Sequence, residues 1–323
     1  MQGVLTSENG TLVIKFILRG LASNPKIQFV LFLVFLLVYI IIFIGNLLII
    51  VLILTDTKLH TPMYFFLANL SCLDICYSTT TVPRILRDLV SAKKIISYAE
   101  CATQLYVNVC LGVTECILLA IMAYDRYVAI CYPLYYTTIM SNAICIRTVT
   151  GMWLSGFLCP ITHVILTLNV DLCGNNEINN FLCDIPEILS LSCENTIVIE
   201  LVIFVTGVVV LMIPVTFIAV SYVRIILSIL KIASSEGRRK TFSTCGSHII
   251  VVTIFYGSAM ADYMKPKSSS KSGTDKFITA FYCILTPVLN PPIYTLRNNE
   301  VKSAFLKCKS RFFSGISRTF SHH

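Results

Sequence analysis

The chain has 323 residues, of which 56% are hydrophobic and only 13% are charged. Soluble domains carry about 25% charged residues, and a surface this apolar would aggregate in water, so a soluble domain, a disulfide-rich miniprotein and a disordered chain are excluded. The formal net charge of +8 does not indicate nucleic-acid binding, because the basic residues are spread over short segments between apolar runs. These properties predict an integral membrane protein.

Seven apolar segments are each long enough to cross a bilayer as a helix, which takes about 20 residues. The first contains no charged residue, whereas the second is interrupted by charged side chains such as Asp74. The continuous apolar runs favour helices over a β-barrel, in which apolar and polar residues alternate. We therefore predict an all-α membrane protein with a bundle of seven helices. The predicted spans are residues 29–54, 62–90, 99–131, 143–168, 197–230, 241–264 and 274–296.

Two features of the sequence predict an extracellular N-terminus. Asn9-Gly10-Thr11 is a glycosylation sequon in a polar segment, and its modification requires exposure to the lumen. Four of the 14 cysteines fall on the same side of the membrane as this sequon: Cys101, Cys173, Cys183 and Cys193. An oxidising compartment and an even number of cysteines favour two disulfides, with three possible connectivities. No signal peptide is recognisable, so the first span is expected to direct insertion.

The predicted division of the chain follows from these spans. Residues 1–26 are expected to form an extracellular tail, residues 27–296 the seven-helix domain, and residues 297–323 a cytoplasmic helix and tail. In the last segment, one helical face carries apolar side chains and the rest is basic, which is typical of an amphipathic helix on the inner leaflet. The apolar positions are Val301, Ala304, Phe305, Cys308 and Phe312.

Two carboxylates lie near the middle of neighbouring spans, where an ionisable group costs a few kcal/mol and marks a candidate site. Asp74 is in the second span and Glu115 in the third. At the same depth they can share a proton or hold a cation such as sodium. The alternative is that each is protonated and hydrogen-bonded to neighbouring helices. A catalytic acid pair is disfavoured, because no nucleophile or metal-ligand spacing accompanies them.

A set of polar and helix-bending residues occurs in a fixed order along the spans. They are Gly45-Asn46, Asp74, Asp125-Arg126-Tyr127, Trp153, Pro214 and Asn290-Pro291-Pro292-Ile293-Tyr294. This order resembles that of rhodopsin-like G-protein-coupled receptors. Longer strings include PMYFFL at residues 62–67, MAYDRYVAIC at 122–131 and KTFSTC at 240–245. With these strings the chain closely resembles an olfactory receptor over residues 20–310, and the short loop before the seventh span resembles the tetrapod-type branch.

The resemblance implies a receptor rather than an enzyme, with its ligand in the outer half of the bundle. The matching positions are Asn108, Val109, Gly112, Val113, Thr206, Val210, Tyr256, Ala259, Tyr263, Ala280 and Cys283. This set is apolar with a few hydroxyl, amide and phenol groups, which suits small, mostly neutral volatile molecules with one polar handle. Any one of these residues can equally be a packing contact. Because amine receptors carry an aspartate where this chain has Asn108, a charged ligand is not expected.

The resemblance also implies a switch at the cytoplasmic end of the bundle. The matching positions are Asp125, Arg126, Tyr127, Tyr222, Arg238, Arg239, Lys240, Asn290, Pro291 and Tyr294. The implied partner is a heterotrimeric G protein of the olfactory stimulatory type, which raises cAMP, at the plasma membrane of olfactory cilia. Arg126 can alternatively extend to the lipid headgroups, and the basic residues can bind anionic lipid at about 1 kcal/mol each.

For the outer cysteines, the resemblance implies a Cys101–Cys183 disulfide, which leaves Cys173–Cys193 as the second pair.

Two other classes of membrane protein fit the sequence less well than a receptor does. A transporter or channel would also use Asp74 and Glu115, but normally shows inverted repeats, and none is visible. A membrane enzyme would need a nucleophile or metal cluster, and the histidines within the spans are isolated. No cofactor is expected apart from the sodium ion considered above.

Overall fold

Seven long helices form the body of the protein in the computed structural model. They are α1 (Pro25–Thr55), α2 (Pro62–Val90), α3 (Tyr98–Cys131), α4 (Asn142–Leu168), α5 (Ile197–Leu230), α6 (Ser235–Tyr263) and α7 (Thr274–Leu296). The structure describes residues 6–8, 11–13, 15–22, 24–172, 176–231, 234–263, 274–296 and 300–308. Each predicted span overlaps one helix, so the all-α seven-helix fold is confirmed. The largest difference is at α6, which begins at Ser235 rather than residue 241 because its first turns are polar and continue beyond the apolar run.

The helices differ in how apolar they are, and the difference follows their place in the bundle. Within the described residues, α1, α3, α4 and α5 are long and apolar enough to cross a membrane, and α6 contains the shorter apolar stretch Cys245–Met260. Most of the apolar surface of α1 and α5 points outward, where it meets lipid rather than protein. By contrast, α2 carries buried polar groups such as Asp74 and Ser78 on the face turned into the bundle. A helix whose polar groups face its neighbours does not need a uniformly apolar sequence.

Local sequence signals set the ends of several helices. Asn24 accepts a hydrogen bond from the backbone N–H of Lys26 at 2.9 Å and so caps α1, with proline at the first helical position. Ser97 and Glu100 form a reciprocal capping box at the start of α3. These contacts satisfy N–H groups that a helix leaves unpaired in its first turn.

α3 is the central helix, packing against α2, α4, α5 and α6. α4 approaches α3 closely at Gly156, where a Cβ atom would lie 1.8 Å from Oγ1 of Thr114 and 3.2 Å from the carbonyl oxygen of Cys110. Only glycine fits at this position, as is common where two membrane helices pack closely. Lower on the same helix, Trp153 Nε1 donates to Oδ1 of Asn69 on α2 at 3.3 Å.

A small sheet covers the end of the bundle at which α3 begins, and no pattern in the sequence predicted it. Strand β1 (Thr6–Glu8) pairs with β2 (Thr11–Val13). Strand β3 (Lys15–Leu18) lies between β4 (Ile95–Ser97), to which it is antiparallel, and β5 (Glu177–Ile178), to which it is parallel.

The buried face of this sheet forms an outer hydrophobic cluster. Phe16 and Leu18 from β3, Ile96 from β4 and Ile178 from β5 are all buried there. The chain leaves β3 through Gly20, whose φ of +67° is a left-handed conformation that glycine adopts without strain. Through the pairing of β3 with β5, the N-terminal segment is attached to the loop between α4 and α5.

The disulfide implied by the resemblance is present in this outer region. Cys101 at the start of α3 is bonded to Cys183 in the loop between α4 and α5, with 5.4 Å between their Cα atoms. Cys193 is also disulfide-bonded. Its expected partner Cys173 lies outside the described residues, so that pairing stays a prediction. The sequon residue Asn9 lies outside them as well.

Candidate functional site

A cavity lies in the outer half of the bundle, between α3, α4, α5 and α6. Its volume, measured as the space open to the centres of water-sized spheres, is about 90 Å³. The wall is made by Tyr77, Asn108, Val109, Gly112, Val113, Cys116, His163, Ile185, Ile203, Gly207, Val210, Leu211, Phe255 and Ala259. Asn108 lies 18 positions before Arg126 on α3, a distance of about 27 Å along a helix. The cavity is therefore far from the end of α3 that holds Arg126.

Several ligand-binding positions expected from the sequence meet at this cavity. Asn108, Val109, Gly112 and Val113 of α3, Val210 of α5 and Ala259 of α6 all line it. The four α3 residues form a broad face of that helix, because Asn108 and Gly112, and likewise Val109 and Val113, are four positions apart. No ligand is present to test their role, so binding at these residues stays a prediction.

The remaining expected positions lie elsewhere. Tyr256 is buried, and its hydroxyl donates to the carbonyl oxygen of Cys116 at 2.9 Å instead of pointing into the cavity. Ala280 is buried away from the wall. Thr206 contacts the wall indirectly, through His163. The side chains of Tyr263 and Cys283 lie outside the described residues.

His163 is a member of the wall that the sequence analysis did not propose as a ligand contact. It lies on α4, which the resemblance did not assign to the ligand site, and its ring nitrogen Nε2 is hydrogen-bonded to the Thr206 hydroxyl of α5. The signal that could have revealed it is an ionisable residue inside an apolar span, the same criterion that singled out Asp74. Ile185 was also not predicted from the sequence. It reaches the cavity from the loop between α4 and α5, two residues after the disulfide at Cys183.

A second polar cluster lies at the centre of the bundle. The Asp74 carboxylate accepts two hydrogen bonds from Nδ2 of Asn290, at 3.1 Å and 2.9 Å. Glu115 interacts electrostatically with Asp74, and its buried Oε1 atom has no hydrogen-bond partner within the described part of the chain. The same holds for the buried atoms Ser71 Oγ and Asn46 Oδ1. Oxygen atoms of this kind are the ligands that hard cations prefer, so the cluster is chemically suited to sodium.

The last turns of α3 hold the Asp125-Arg126-Tyr127 sequence. Arg126 is buried, and its Nε atom has no hydrogen-bond partner among the residues that the structure describes. Asp125 accepts a hydrogen bond from the Tyr136 hydroxyl at 2.8 Å, and the part of the chain that is described contains no Asp125–Arg126 ion pair. Burial raises the pKa of Tyr136, so its hydroxyl remains a donor to that carboxylate. Tyr127 points elsewhere, with its hydroxyl 3.5 Å from that of Tyr132.

Other switch positions surround Arg126. The Tyr222 hydroxyl of α5 is 2.8 Å from Nδ1 of His248 on α6, and the two rings stack. Tyr294 of α7 is buried with its hydroxyl unpartnered. Pro291, also on α7, packs close to Gly45, where a Cβ atom would lie 3.2 Å from the proline ring.

The basic cluster between α5 and α6 is described only in part. Lys231 is exposed and Arg238 is half-buried. The side chains of Arg239 and Lys240 lie outside the described residues.

The segment after α7 contacts the loop between α1 and α2. Residues 300–308 are helical, with Val301 and Ala304 buried against the bundle. Glu300 accepts a hydrogen bond from the Tyr64 hydroxyl at 2.6 Å, and Lys307 Nζ donates to Oδ2 of Asp56 at 3.1 Å. The backbone N–H of Lys58 and the Lys307 ammonium lower the pKa of Asp56 below its ordinary value. Up to residue 308, the apolar side chains Val301 and Ala304 of the predicted amphipathic helix are buried, and the polar side chains Glu300 and Lys307 contact Tyr64 and Asp56. Phe312 lies outside the described residues.

Comparison with known proteins agrees with this architecture. The family profile described as olfactory receptor matches residues 35–311. The chain is 45% identical to olfactory receptor 5AR1 of Mus musculus, over 94% of this chain and 98% of that receptor. It is 46% identical to mouse olfactory receptor 5M5, over 94% of this chain and 95% of that receptor. A human relative, olfactory receptor 13D1, is 46% identical over 95% of this chain and 89% of its own length.

Proposed function

The chain belongs to the olfactory receptor family, and on this basis we propose that it is an odorant receptor that signals through a G protein. Its ligands are small, mostly neutral volatile molecules. Its transducer is a heterotrimeric G protein of the olfactory stimulatory type, and the output is a rise in cAMP. The receptor works in the plasma membrane of olfactory cilia, with residues 1–26 outside, 27–296 in the membrane domain and 297–323 in the cytoplasm.

The observation that carries the ligand proposal is the cavity between α3, α4, α5 and α6. Its wall is predominantly apolar, with few polar side chains such as Asn108 and His163. Apolar walls bind ligands by removing apolar surface from water, at about 25 cal/mol per Å², while a few polar groups fix orientation. The small volume favours compact molecules; an apolar cavity of about 150 Å³ in another protein is enough for benzene.

The proposed transducer site is the surface around Arg126. Its guanidinium is buried with an unpartnered Nε, and its neighbour Asp125 is held by Tyr136 rather than by the arginine. Arg126 therefore has no carboxylate within ion-pair distance among the described residues. A separation of α6 from α5 at Tyr222 and His248 would expose its guanidinium. Coupling requires that the bundle can adopt two packings. The ligand and the G protein must both bind the same packing more tightly than the other.

A sodium ion is proposed at the central cluster. Asp74 and Glu115 would supply its charge-bearing ligands, with Ser71 Oγ among the neutral oxygens. A bound cation there neutralises carboxylates that are costly to bury and stabilises the packing seen in this structure. Replacing Asp74 by Asn together with Glu115 by Gln should alter basal signalling and abolish any dependence on sodium. If sodium has no effect on the unmodified receptor, the carboxylates are protonated or structural.

The experiment for the main proposal is a screen of chemically diverse odorants on cells that express the chain, with cAMP as the readout. We expect at least one volatile to raise cAMP, and Gly112→Leu, which fills the cavity beside Asn108, to abolish that response. The variant Gly151→Ala is a matched control, because a Cβ there meets no atom within 4 Å. Ion or solute flux through receptor-containing vesicles, without nucleotide exchange on an added G protein, would instead identify a channel or transporter.

A further inference from the structure

The tautomer of His163 follows from its contact with Thr206. The Thr206 hydroxyl has one proton, which it donates to the backbone carbonyl of Val202 at 2.6 Å. It can therefore meet His163 Nε2 only as an acceptor, so the imidazole proton is on Nε2. His163 is 8% exposed, and charging it in these surroundings is unfavourable, so the ring is neutral. Nδ1 is then a hydrogen-bond acceptor.

That acceptor has no partner among the residues that the structure describes. Nδ1 of His163 is buried there without a hydrogen bond, and so is Oδ1 of Asn108; both residues line the cavity. The amide of Asn108 can turn to present either a donor or an acceptor, whereas the bond to Thr206 holds the histidine as an acceptor. A buried acceptor without a donor is costly, and the apolar residues of the wall cannot satisfy it.

We propose that the odorants of this receptor carry an O–H group that donates to Nδ1 of His163. The cavity then selects alcohols and phenols over ethers and ketones of the same size, since only a hydroxyl supplies the missing proton. Thr206, which the sequence analysis assigned to direct ligand contact, instead orients the histidine. This inference rests on the proposed function, because it names the ligand class of the same cavity.

The test uses pairs of closely matched ligands in the cAMP assay. Suitable pairs are small enough for this cavity: 1-propanol with ethyl methyl ether, 1-butanol with methyl propyl ether, and 2-butanol with butanone. For each pair that activates the receptor we expect the hydroxyl compound to have a half-maximal concentration about tenfold lower, the effect of one satisfied buried hydrogen bond. His163→Phe keeps a ring of similar size but removes the acceptor, and should reduce this preference to within about threefold.

Two variants of Thr206 separate orientation from simple packing. Thr206→Ser keeps the hydroxyl and should keep the preference. Thr206→Val removes it, which lets the histidine proton move to Nδ1, so ethers and ketones should gain potency relative to alcohols. A purely structural role would not move this ratio. His60→Phe, at an exposed position before α2, is the control for the histidine substitution.

Equal or better responses to ethers and ketones in the unmodified receptor would overturn the hydroxyl preference while leaving the odorant receptor proposal intact. So would a preference that survives in His163→Phe. If no member of the series and no odorant of the wider screen raises cAMP in cells with surface-exposed receptor, both the proposed function and this inference fail.

Discussion

The contact between α3 and α4 at Gly156 allows a sharp test of the packing. In Gly156→Ala the new methyl group would lie 1.8 Å from Oγ1 of Thr114 and 3.1 Å from its Cβ. Non-bonded carbon and oxygen atoms need about 3.3 Å, so the helices must separate or the threonine must leave its place. Thr114 cannot move freely, because it is buried and its hydroxyl donates to the Cys110 carbonyl at 2.7 Å.

The expected cost is that of overpacking a close helix contact, about 1–3 kcal/mol. The matched control is Gly151→Ala on the same helix, where a Cβ meets no atom within 4 Å. There the higher helix propensity of alanine should leave stability unchanged or raise it by up to about 1 kcal/mol. At about 2.1 cal/mol/K of unfolding entropy per residue, a chain of 323 residues shifts its melting temperature by roughly 1.5 °C for each kcal/mol, so Gly156→Ala should melt about 2–6 °C below the control.

Melting can be followed in purified, detergent-solubilised receptor by the fluorescence of the only tryptophan, Trp153, which lies on α4 between the two glycines. Adding Thr114→Ala to Gly156→Ala removes the 1.8 Å contact and leaves contacts of 3.1 Å and 3.2 Å, which small shifts can relieve. The double variant should therefore recover most of the loss, as a positive coupling in a double-mutant cycle. Equal melting of the two glycine variants, or no rescue by Thr114→Ala, would refute the close contact.

Three further predictions concern the cytoplasmic half. Arg126→Ala should keep ligand binding but abolish the cAMP response; a normal response at normal surface expression would leave Arg126 as a lipid anchor only. Tyr222→Phe removes the hydrogen bond to His248 Nδ1, and leaving that buried atom without a donor should lower the melting temperature by a few degrees. Because the pKa of Asp56 is lowered in the folded protein, its contact with Lys307 stabilises above the ordinary value of 3.8 and is lost as the pH falls below it. A spin label on the helix at residues 300–308 should become more mobile as the pH falls below that value. In the Asp56→Asn variant the label should be mobile at every pH.

The helices could be predicted because apolar runs report directly on insertion into lipid. The outer sheet could not, because its strands are only two to four residues long and pair distant parts of the chain. Arg19 and Glu177, which form an ion pair at 3.0 Å beside β3 and β5, are 158 positions apart. Neither alternation nor a local turn signals a pairing of that range.

In the cavity, the resemblance located the face of α3 but not the contribution of α4. Family matching assigns residues by position, whereas the role of His163 depends on a hydrogen bond to Thr206 on another helix. The same limit applies to Tyr256, whose hydroxyl turns to the Cys116 carbonyl although its position matches the family's ligand set. The orientation of a side chain is decided by such partners, which a linear pattern does not contain.

The outer sheet also sets an order on the assembly of the chain. Strand β3 is made early, yet its neighbours are residues 95–97 and 177–178. While the first four helices are still being synthesised, β3 has at least one edge of its backbone unpaired, because residues 177–178 follow α4 in the chain. Such an edge is a template for pairing with other chains, and long-range pairings form slowly. The sheet therefore closes only after α4 has been made, and until then its open edge can pair with other chains.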